Sequence, residues 1–597
     1  MAEYTAPFAD VRFVLEHLVD LKSVTELPGY DHVDVDGVYA VLEENARFMQ
    51  DLVAPLNRVG DEQGSVHHPD GTVTTPDGFI AAYKAYIDAG WGGVAFPPEY
   101  GGGGFPWLVG IALQEFLTSA NMAFSMCPLL NQGAIDMLLH HASEEHKETY
   151  LPKMVTGEWT GTMNLTEPQA GSDVGALSTK AVPQPDGSYR ISGTKIFISF
   201  GEHDMSENII HLVLARTPSA PPGTKGISCF IVPKLLLNED GSLGERNDVT
   251  CVSIEHKMGI KASPTCVLSY GEQGEGAVGF LIGEENAGMR YMFTMMNNAR
   301  LSVGLEGLAL AERAYQMAVD YAKERKQGRA PGAAAGVQSP IVDHPDVRRM
   351  LLTMRASIGA LRGIVYANAA ALDRARSHPD EAERTSATEL ADLLTPVSKG
   401  WGTDLGVELT SLAIQVFGGM GYIEETGVAQ HFRDARIAPI YEGTNGIQAM
   451  DLVGRKLPMR AGGVVTDYLG YIDATIAELG EAGDDLASIR SALADAQAAL
   501  RTATDWLLAN GLGQPLDALA GATPYLRLFS VVTAGWVMGR QALAATKAIA
   551  DGGTEDKAFY EEKLLDARFF CEQLLPQVVS LVPAITATNR DLAAATF

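Results

Sequence analysis

The chain has 597 residues, and at about 150 residues per domain this gives room for three to five domains with several cores, which excludes a small disulfide-stapled scaffold. Asp and Glu number 74 against 45 Lys and Arg, a formal charge of −29, so a polyphosphate partner would meet a repulsive field and no nucleic acid is expected. Five scattered cysteines without a C-x-x-C pair suggest neither a disulfide framework nor a metal site, no uninterrupted apolar run is long enough to span a bilayer, and no secretory signal opens the chain, so a cytoplasmic protein is expected.

Residues 1–158 read as an N-terminal helical domain, with Val14, Leu15, Leu18 and Leu21 at helix-like spacing and similar patterns over 38–53 and 79–89. The run FPPEYGGGGFPW (96–107) lacks a following Gly-Lys-Ser/Thr, so it predicts a tight surface or active-site loop rather than a phosphate loop. Residues 159–284 change period: WTGTMNL, SYRISGTKIFIS, NIIHLVLAR and GISCFIVP are short β-branched or aromatic runs between turn residues, which predicts a middle antiparallel β domain. Helical patterns return over 285–460, interrupted by a Gly, Ala and Pro-rich loop between Lys326 and His344. Residues 461–597 form an Ala-rich helical extension, in which Ile489, Leu493, Ala496, Leu500, Ala503 and Leu507 make one apolar stripe read as core packing.

Four segments place Gly, Thr, Ser and acids where folding alone does not call for them. LTEPQAGSDV (165–174) either makes a structural turn or lets the backbone approach a flat ligand. TKIFIS (194–199) alternates, putting Phe197 and Ser199 on one face, as an ordinary sheet face or as a wall and a hydrogen-bonding hydroxyl for a heteroaromatic ring. QVFGGMGY (415–422) either ends a helix at Gly418 or brings Gly419 close to cofactor phosphates. In IYEGTNGIQ (440–448), Glu442 is a solvated loop acid or a base whose proton affinity is raised beside an apolar wall.

Taken together, these segments make the chain resemble the acyl-CoA dehydrogenase family. LTEPQAGSDV looks like that family's first signature, and QVFGGMGYIEETGVAQHFRDARIAPIYEGTNGIQ like its second. ISGTKIFIS, HKMGIKAS, GEENAGM and NNARLSVGLEGLALAERAYQMAVDYAKERK follow in the family's order, and the resemblance covers roughly 31–460. The tail resembles a longer bacterial subgroup that includes the 3-methylmercaptopropionyl-CoA dehydrogenases. The implied fold is α+β: an N-terminal helical domain, a middle β domain and a C-terminal four-helix bundle, plus the extra helical domain.

The resemblance implies FAD as cofactor and dehydrogenation of an acyl-CoA, with Glu442 taking the α-proton. Relatives that carry the base on the helix place it immediately before the motif arginine, and here Ala299 stands there. By the same resemblance Leu165, Thr166, Ser172, Phe197, Ser199, Gln415, Gly418, Gly419 and Thr444 approach FAD, and Arg325 meets the FAD pyrophosphate of a neighbouring subunit. Ser172, Asn297, Arg300, Tyr441 and Gly443 face the acyl-CoA. Phe197 replaces the usual Trp, Ser199 the usual Thr, Asn297 the usual Asp, and Gly446 the frequent Gln; KQGR lacks the usual aromatic before Gly. An electron-transferring flavoprotein is the implied acceptor and a homodimer, or a tetramer, the implied assembly.

An acyl-CoA oxidase shares this half-reaction and also carries extra carboxy-terminal helices. A DNA-binding alkylation-response relative has a basic helical addition, whereas residues 461–597 hold 17 acids against 9 Lys plus Arg. That acidity also disfavours an anionic bilayer and leaves packing against the core as the expected role of the tail.

Overall fold

The computed structural model describes residues 4–511, 513–552 and 556–597, which form two compact units. One comprises Glu44–Phe105 and Phe116–Ser302. The other comprises the chain up to Glu43, Pro106–Glu115 and Val303–Phe597. Of the boundaries between these segments, those after 43, 115 and 302 fall inside helices, Val35–Phe48, Trp107–Ala120 and Gly288–Glu324.

The first unit is built on β1 (Val66–His67), β2 (Val73–Thr74), β3 (Trp159–Asn164), β4 (Lys180–Pro183), β5 (Tyr189–Ser199), β6 (Asn208–Ala215), β7 (Ser228–Pro233), β8 (Leu235–Leu237), β9 (Leu243–Arg246), β10 (Val249–Ile254), β11 (Thr265–Tyr270) and β12 (Ala277–Leu281). An eight-stranded sheet runs β10-β11-β5-β12-β7-β6-β3, with β4 on β5. β6 and β7 are buried along their whole length, which accounts for their near-continuous apolar sequence.

The sheet departs from a purely antiparallel one, because β3 runs parallel to β6. The chain between them carries β4 and β5, and a connection that long can return to the starting end of the sheet, as a parallel pair requires. The helix Met122–His141 packs on β3, and Gly161 permits it: a side-chain carbon there would lie 2.4 Å from that of Ala134. The β1–β2 hairpin interrupts the expected all-helical start; each strand is two residues long, too short for alternation to show. The 96–107 loop folds onto itself, with Gly103 N–H donating to Gly93 O at 3.0 Å and Gly104 N–H to Phe96 O at 2.9 Å.

The second unit contains the bundle helices Gly288–Glu324 (from Val303), Pro345–Ser377, Glu381–Pro396 and Gly402–Phe417; a π turn, Val397–Trp401, joins the last two. The Gly, Ala and Pro-rich stretch before Pro345 is closed at its ends, where Gln327 N–H donates to Ser339 O at 3.0 Å. Arg362, buried, donates to Glu115 Oε1 at 2.8 Å and Glu312 Oε2 at 2.9 Å, and Tyr366 Oη donates to Glu115 Oε2 at 2.7 Å. Asp373 receives the backbone N–H groups of Trp107 and Leu108 at 2.7 and 2.8 Å, holding a helix N-terminus against the bundle.

The carboxy-terminal extension packs on this bundle. Its central helix, Ala522–Ala550, lies on Pro345–Ser377, and Gln541 donates to Gly359 O at 3.0 Å. The whole stripe Ile489, Leu493, Ala496, Leu500, Ala503 and Leu507 is buried. Among the described residues, Lys557–Thr586 is long and apolar enough by composition to cross a membrane, at mean hydropathy 1.3. A count of uninterrupted apolar residues misses it. It is broken by a π turn at Phe570–Leu574 and 3-10 geometry over Leu575–Leu581, and Phe570, Cys571, Leu575 and Ile585 are buried.

Arg362→Met leaves two carboxyls buried without their cation and is expected to lower the unfolding free energy by about 3–5 kcal/mol. A denaturant titration reads this, and an unchanged midpoint would contradict the role given to the cluster.

Candidate functional site

The segment containing Glu442 turns sharply. Glu442 has φ 55° and Gly443 φ 78°, and the helix Asn445–Asp451 follows at once, with Thr444 Oγ1 accepting from Ile447 N–H at 3.3 Å as its N-cap. A left-handed glutamate is costly and persists only where its surroundings impose it. Here they do. Lys399 Nζ, fully buried, donates to Gly443 O at 2.6 Å and to Asn445 Oδ1 at 2.9 Å. Asn445 Nδ2 donates to Asp404 Oδ1 at 2.7 Å and Gly400 O at 2.9 Å, while Gln448 Nε2 reaches Gly443 O at 3.3 Å and Glu442 O at 3.4 Å.

On the other side of Glu442, Tyr441 Oη donates to Glu306 Oε2. Glu306 is fully buried, and burial is the main cause that pushes its carboxyl up to about 8; Glu442 adds to the rise, while Tyr441 and Lys399 oppose it. The structure thus groups Tyr441, Glu442, Gly443 and Thr444 with three side chains that the sequence reading did not single out: Glu306, Lys399 and Gln448. The available signal for Glu306 was its setting in VGLEGL, where glycines on a helix mark a close approach.

Arg325 follows the helix Gly288–Glu324, and Gln415, Gly418 and Gly419 lie at the end of the helix Gly402–Phe417 in the same unit. Tyr321, one turn before Arg325, stacks on Phe417 at 4.1 Å and 11°. Gly418, at φ 62°, ends the helix Gly402–Phe417 by donating its N–H to Gln415 O, so the helix-stop reading holds in its geometry. All four residues are exposed.

The remaining candidates lie in the β unit. Leu165 and Thr166 are tied to β5: Lys195 Nζ donates to Leu165 O at 3.1 Å and Ile196 N–H to Thr166 O at 2.9 Å. Plain alternation would place Lys195 on the face of Phe197 and Ser199. Instead the β5–β11 register slips between Lys195↔Leu268 and Ile198↔Cys266, Phe197 takes φ 60°, and the extra residue separates them. Lys195 is buried, Phe197 is 57% exposed, and Ser199 is partly exposed.

Lys195 meets Glu167 at 2.8 Å, and Glu167 also accepts from Thr179 Oγ1 (2.6 Å), Thr179 N–H (3.0 Å), Ser178 N–H (2.7 Å) and Ser178 Oγ (2.8 Å). Burial would raise the Glu167 carboxyl, but Lys195 and these donors outweigh it and hold it at about 2. Glu167 therefore anchors the signature loop, while Ser172 on that loop stays exposed. Asn297 is exposed on the helix Gly288–Glu324, and Arg300 is buried, with Nη1 donating to Asn297 Oδ1 at 3.3 Å.

Family models match nearly end to end: acyl-CoA dehydrogenase N-terminal domain over 39–158, middle domain over 162–272, C-terminal domain over 286–457, and acetyl-CoA dehydrogenase C-terminal like over 468–596. The chain is 48% identical to a 3-methylmercaptopropionyl-CoA dehydrogenase of Ruegeria pomeroyi, covering 99% of both, and 37% identical to a butyryl-CoA dehydrogenase of Syntrophomonas wolfei, covering 98% of this chain and 97% of the relative. Its fold is similar to that of a Bacillus anthracis acyl-CoA dehydrogenase solved with FAD, at TM-score 0.71 and 21% identity, over 96% and 91% of the two chains.

Because Glu167 ionises at about 2 in the fold against an ordinary 4.5, its carboxylate stabilises the protein above pH 4.5, and that contribution disappears as pH falls toward 2. Denaturant midpoints should fall more steeply over this window in the native protein than in Glu167→Gln, which starts lower because Lys195 is left buried without its anion. Parallel pH curves would contradict the anchor.

Proposed function

The chain belongs to the acyl-CoA dehydrogenase family, being 48% identical to one of its members along 99% of its length, and from that membership we propose that it is an FAD-dependent dehydrogenase of short acyl-CoA thioesters that forms the trans-2-enoyl-CoA. The observation that carries the reading is the enforced left-handed turn at Glu442, held by Lys399 and Gln448, in the motif where the resemblance puts the base. A carboxylate fixed in this way meets a substrate α-carbon without first having to order itself.

The residues present fit FAD. Phe197 offers an exposed aromatic face on strained backbone, Thr166, Ser172 and Ser199 offer hydroxyls, and Leu165 belongs to the loop pinned beside them. Gly418 and Gly419 have open space where side chains would stand, Gln415 is exposed one turn before them, and Arg325 presents a guanidinium suited to paired phosphate oxygens. Thr444 spends an acceptor on its N-cap and keeps its O–H as a donor. When bound, FAD supplies the acceptor for the β-hydride.

Glu442 removes the α-proton. That proton is weakly acidic, so donors must meet the thioester oxygen as negative charge develops, and the backbone N–H of Glu442 is the donor this chain supplies. By the family resemblance Tyr441, Gly443, Ser172, Asn297 and Arg300 are the residues of this chain that contact the acyl-CoA. Relatives matched along nearly their whole length include two named for short acyl thioesters and one named as a broad-specificity linear acyl-CoA dehydrogenase, which supports short chains as the first substrates to try. Arg325 serving a neighbouring subunit's FAD makes the working assembly a homodimer at least, and an electron-transferring flavoprotein is the acceptor.

Anaerobic mixing of FAD-loaded protein with butyryl-, 3-methylmercaptopropionyl- and palmitoyl-CoA tests the proposal. Flavin bleaching is expected, faster with the two short substrates, together with slow peroxide release in air. No bleaching with any thioester would contradict the dehydrogenase, and rapid peroxide formation would identify an oxidase instead.

A further inference from the structure

Two helices of the bundle meet almost backbone to backbone. A side-chain carbon on Gly304 would lie 2.4 Å from Ser398 O, and one on Gly307 would lie 2.1 Å from Gly402 O. This contact brings together Glu306, on the helix Gly288–Glu324, and Lys399, on the π turn Val397–Trp401 that leads into Gly402–Phe417; both are fully buried, and they hold the Glu442 turn from its two sides. Glu306 takes the hydroxyl of Tyr441, the residue before Glu442, and Lys399 takes the carbonyl of Gly443, the residue after it.

Glu306 is not required by the fold as a charge. Its Oε1 is buried and meets no hydrogen-bond donor among the described residues, a poor setting for a carboxylate and a tolerable one for a neutral acid. The titratable groups that face it are Tyr441, Lys399 and Glu442. Glu306 is buried and Glu442 half-buried beside it, and two neighbouring carboxyls resist simultaneous ionisation, so the charge of one shifts the proton affinity of the other.

We infer that Glu306 is a positioning residue for Glu442: as a neutral acid it anchors Tyr441 and fixes the base turn, and on ionising it strengthens Glu442 as a base. This rests on the reading of Glu442 as proton acceptor. Glu306 exchanges a proton with solvent only; it takes none from substrate. Its carboxyl, held near 8, is neutral at pH 7 and ionised at pH 9. The buried anion then disfavours the Glu442 carboxylate and makes protonation of Glu442 easier.

Two measurements test the inference. The single-turnover rate of flavin bleaching by butyryl-CoA should step up roughly threefold between pH 7 and 9 in the native protein. Glu306→Gln should remove the step, and Tyr441→Phe should move it to higher pH, because the lost hydrogen bond had favoured the ionised form. Independently of turnover, infrared difference spectra of FAD-free protein should show a protonated carboxyl band at pH 7 that fades by pH 9 and is missing in Glu306→Gln. Absence of that band in the native protein, or identical pH–rate profiles for native protein and Glu306→Gln, would overturn the inference. Loss of bleaching in the native protein itself would instead refute the function on which it rests.

Discussion

The close approach of the helices Gly288–Glu324 and Gly402–Phe417, made possible by Gly304, Gly307, Gly402 and Gly406, is the constraint on which the candidate site depends. A side-chain carbon on Gly406 would sit 2.5 Å from the Gly307 Cα, so the helices interlock along more than a turn. Their spacing leaves Lys399 and Glu306 fully buried. Buried polar groups must find partners, and the partners here are the backbone and side chains of residues 441–445. The strain of a left-handed Glu442 is thus offset by interactions that a relaxed turn would forfeit.

The carboxy-terminal extension bears on the same bundle from outside. Its helix Ala522–Ala550 packs against Pro345–Ser377 and against the helix Asn445–Asp451 that follows the Glu442 turn. Gly400, a partner of Asn445, would have a side-chain carbon 2.6 Å from Leu526 of the extension. Charged contacts such as Arg355 with Asp566 at 2.8 Å and Arg527 with Glu408 at 2.7 Å line this junction. The extension thus meets the bundle through ion pairs of both polarities, Asp566 of the extension facing a bundle arginine and Arg527 of the extension facing a bundle glutamate, which suits packing on the enzyme core rather than on a polyanion.

Much of the architecture was legible because it rests on periodicity. The stripe from Ile489 to Leu507 and the buried strands β6 and β7 follow directly from spacing and β-branched content. Features set by tertiary geometry were not legible: the parallel β3–β6 pair depends on where a long connection returns, and the bulge at Phe197 on a slipped register with β11. The motif residues around Glu442 stood out for their composition. Glu306 and Lys399 did not, since each lies in an ordinary helical pattern and gains meaning only from helices brought together by glycine.

The proposed dehydrogenation depends on Glu442 as the group that takes the substrate proton. Glu442→Gln keeps the size and leaves the pinned backbone in place, so the variant should still bind FAD and butyryl-CoA. Mixing the two anaerobically and following flavin absorbance tests the claim most directly: bleaching should slow by at least about 100-fold. Bleaching at a rate within a few-fold of the native protein, with FAD and ligand bound, would contradict the account.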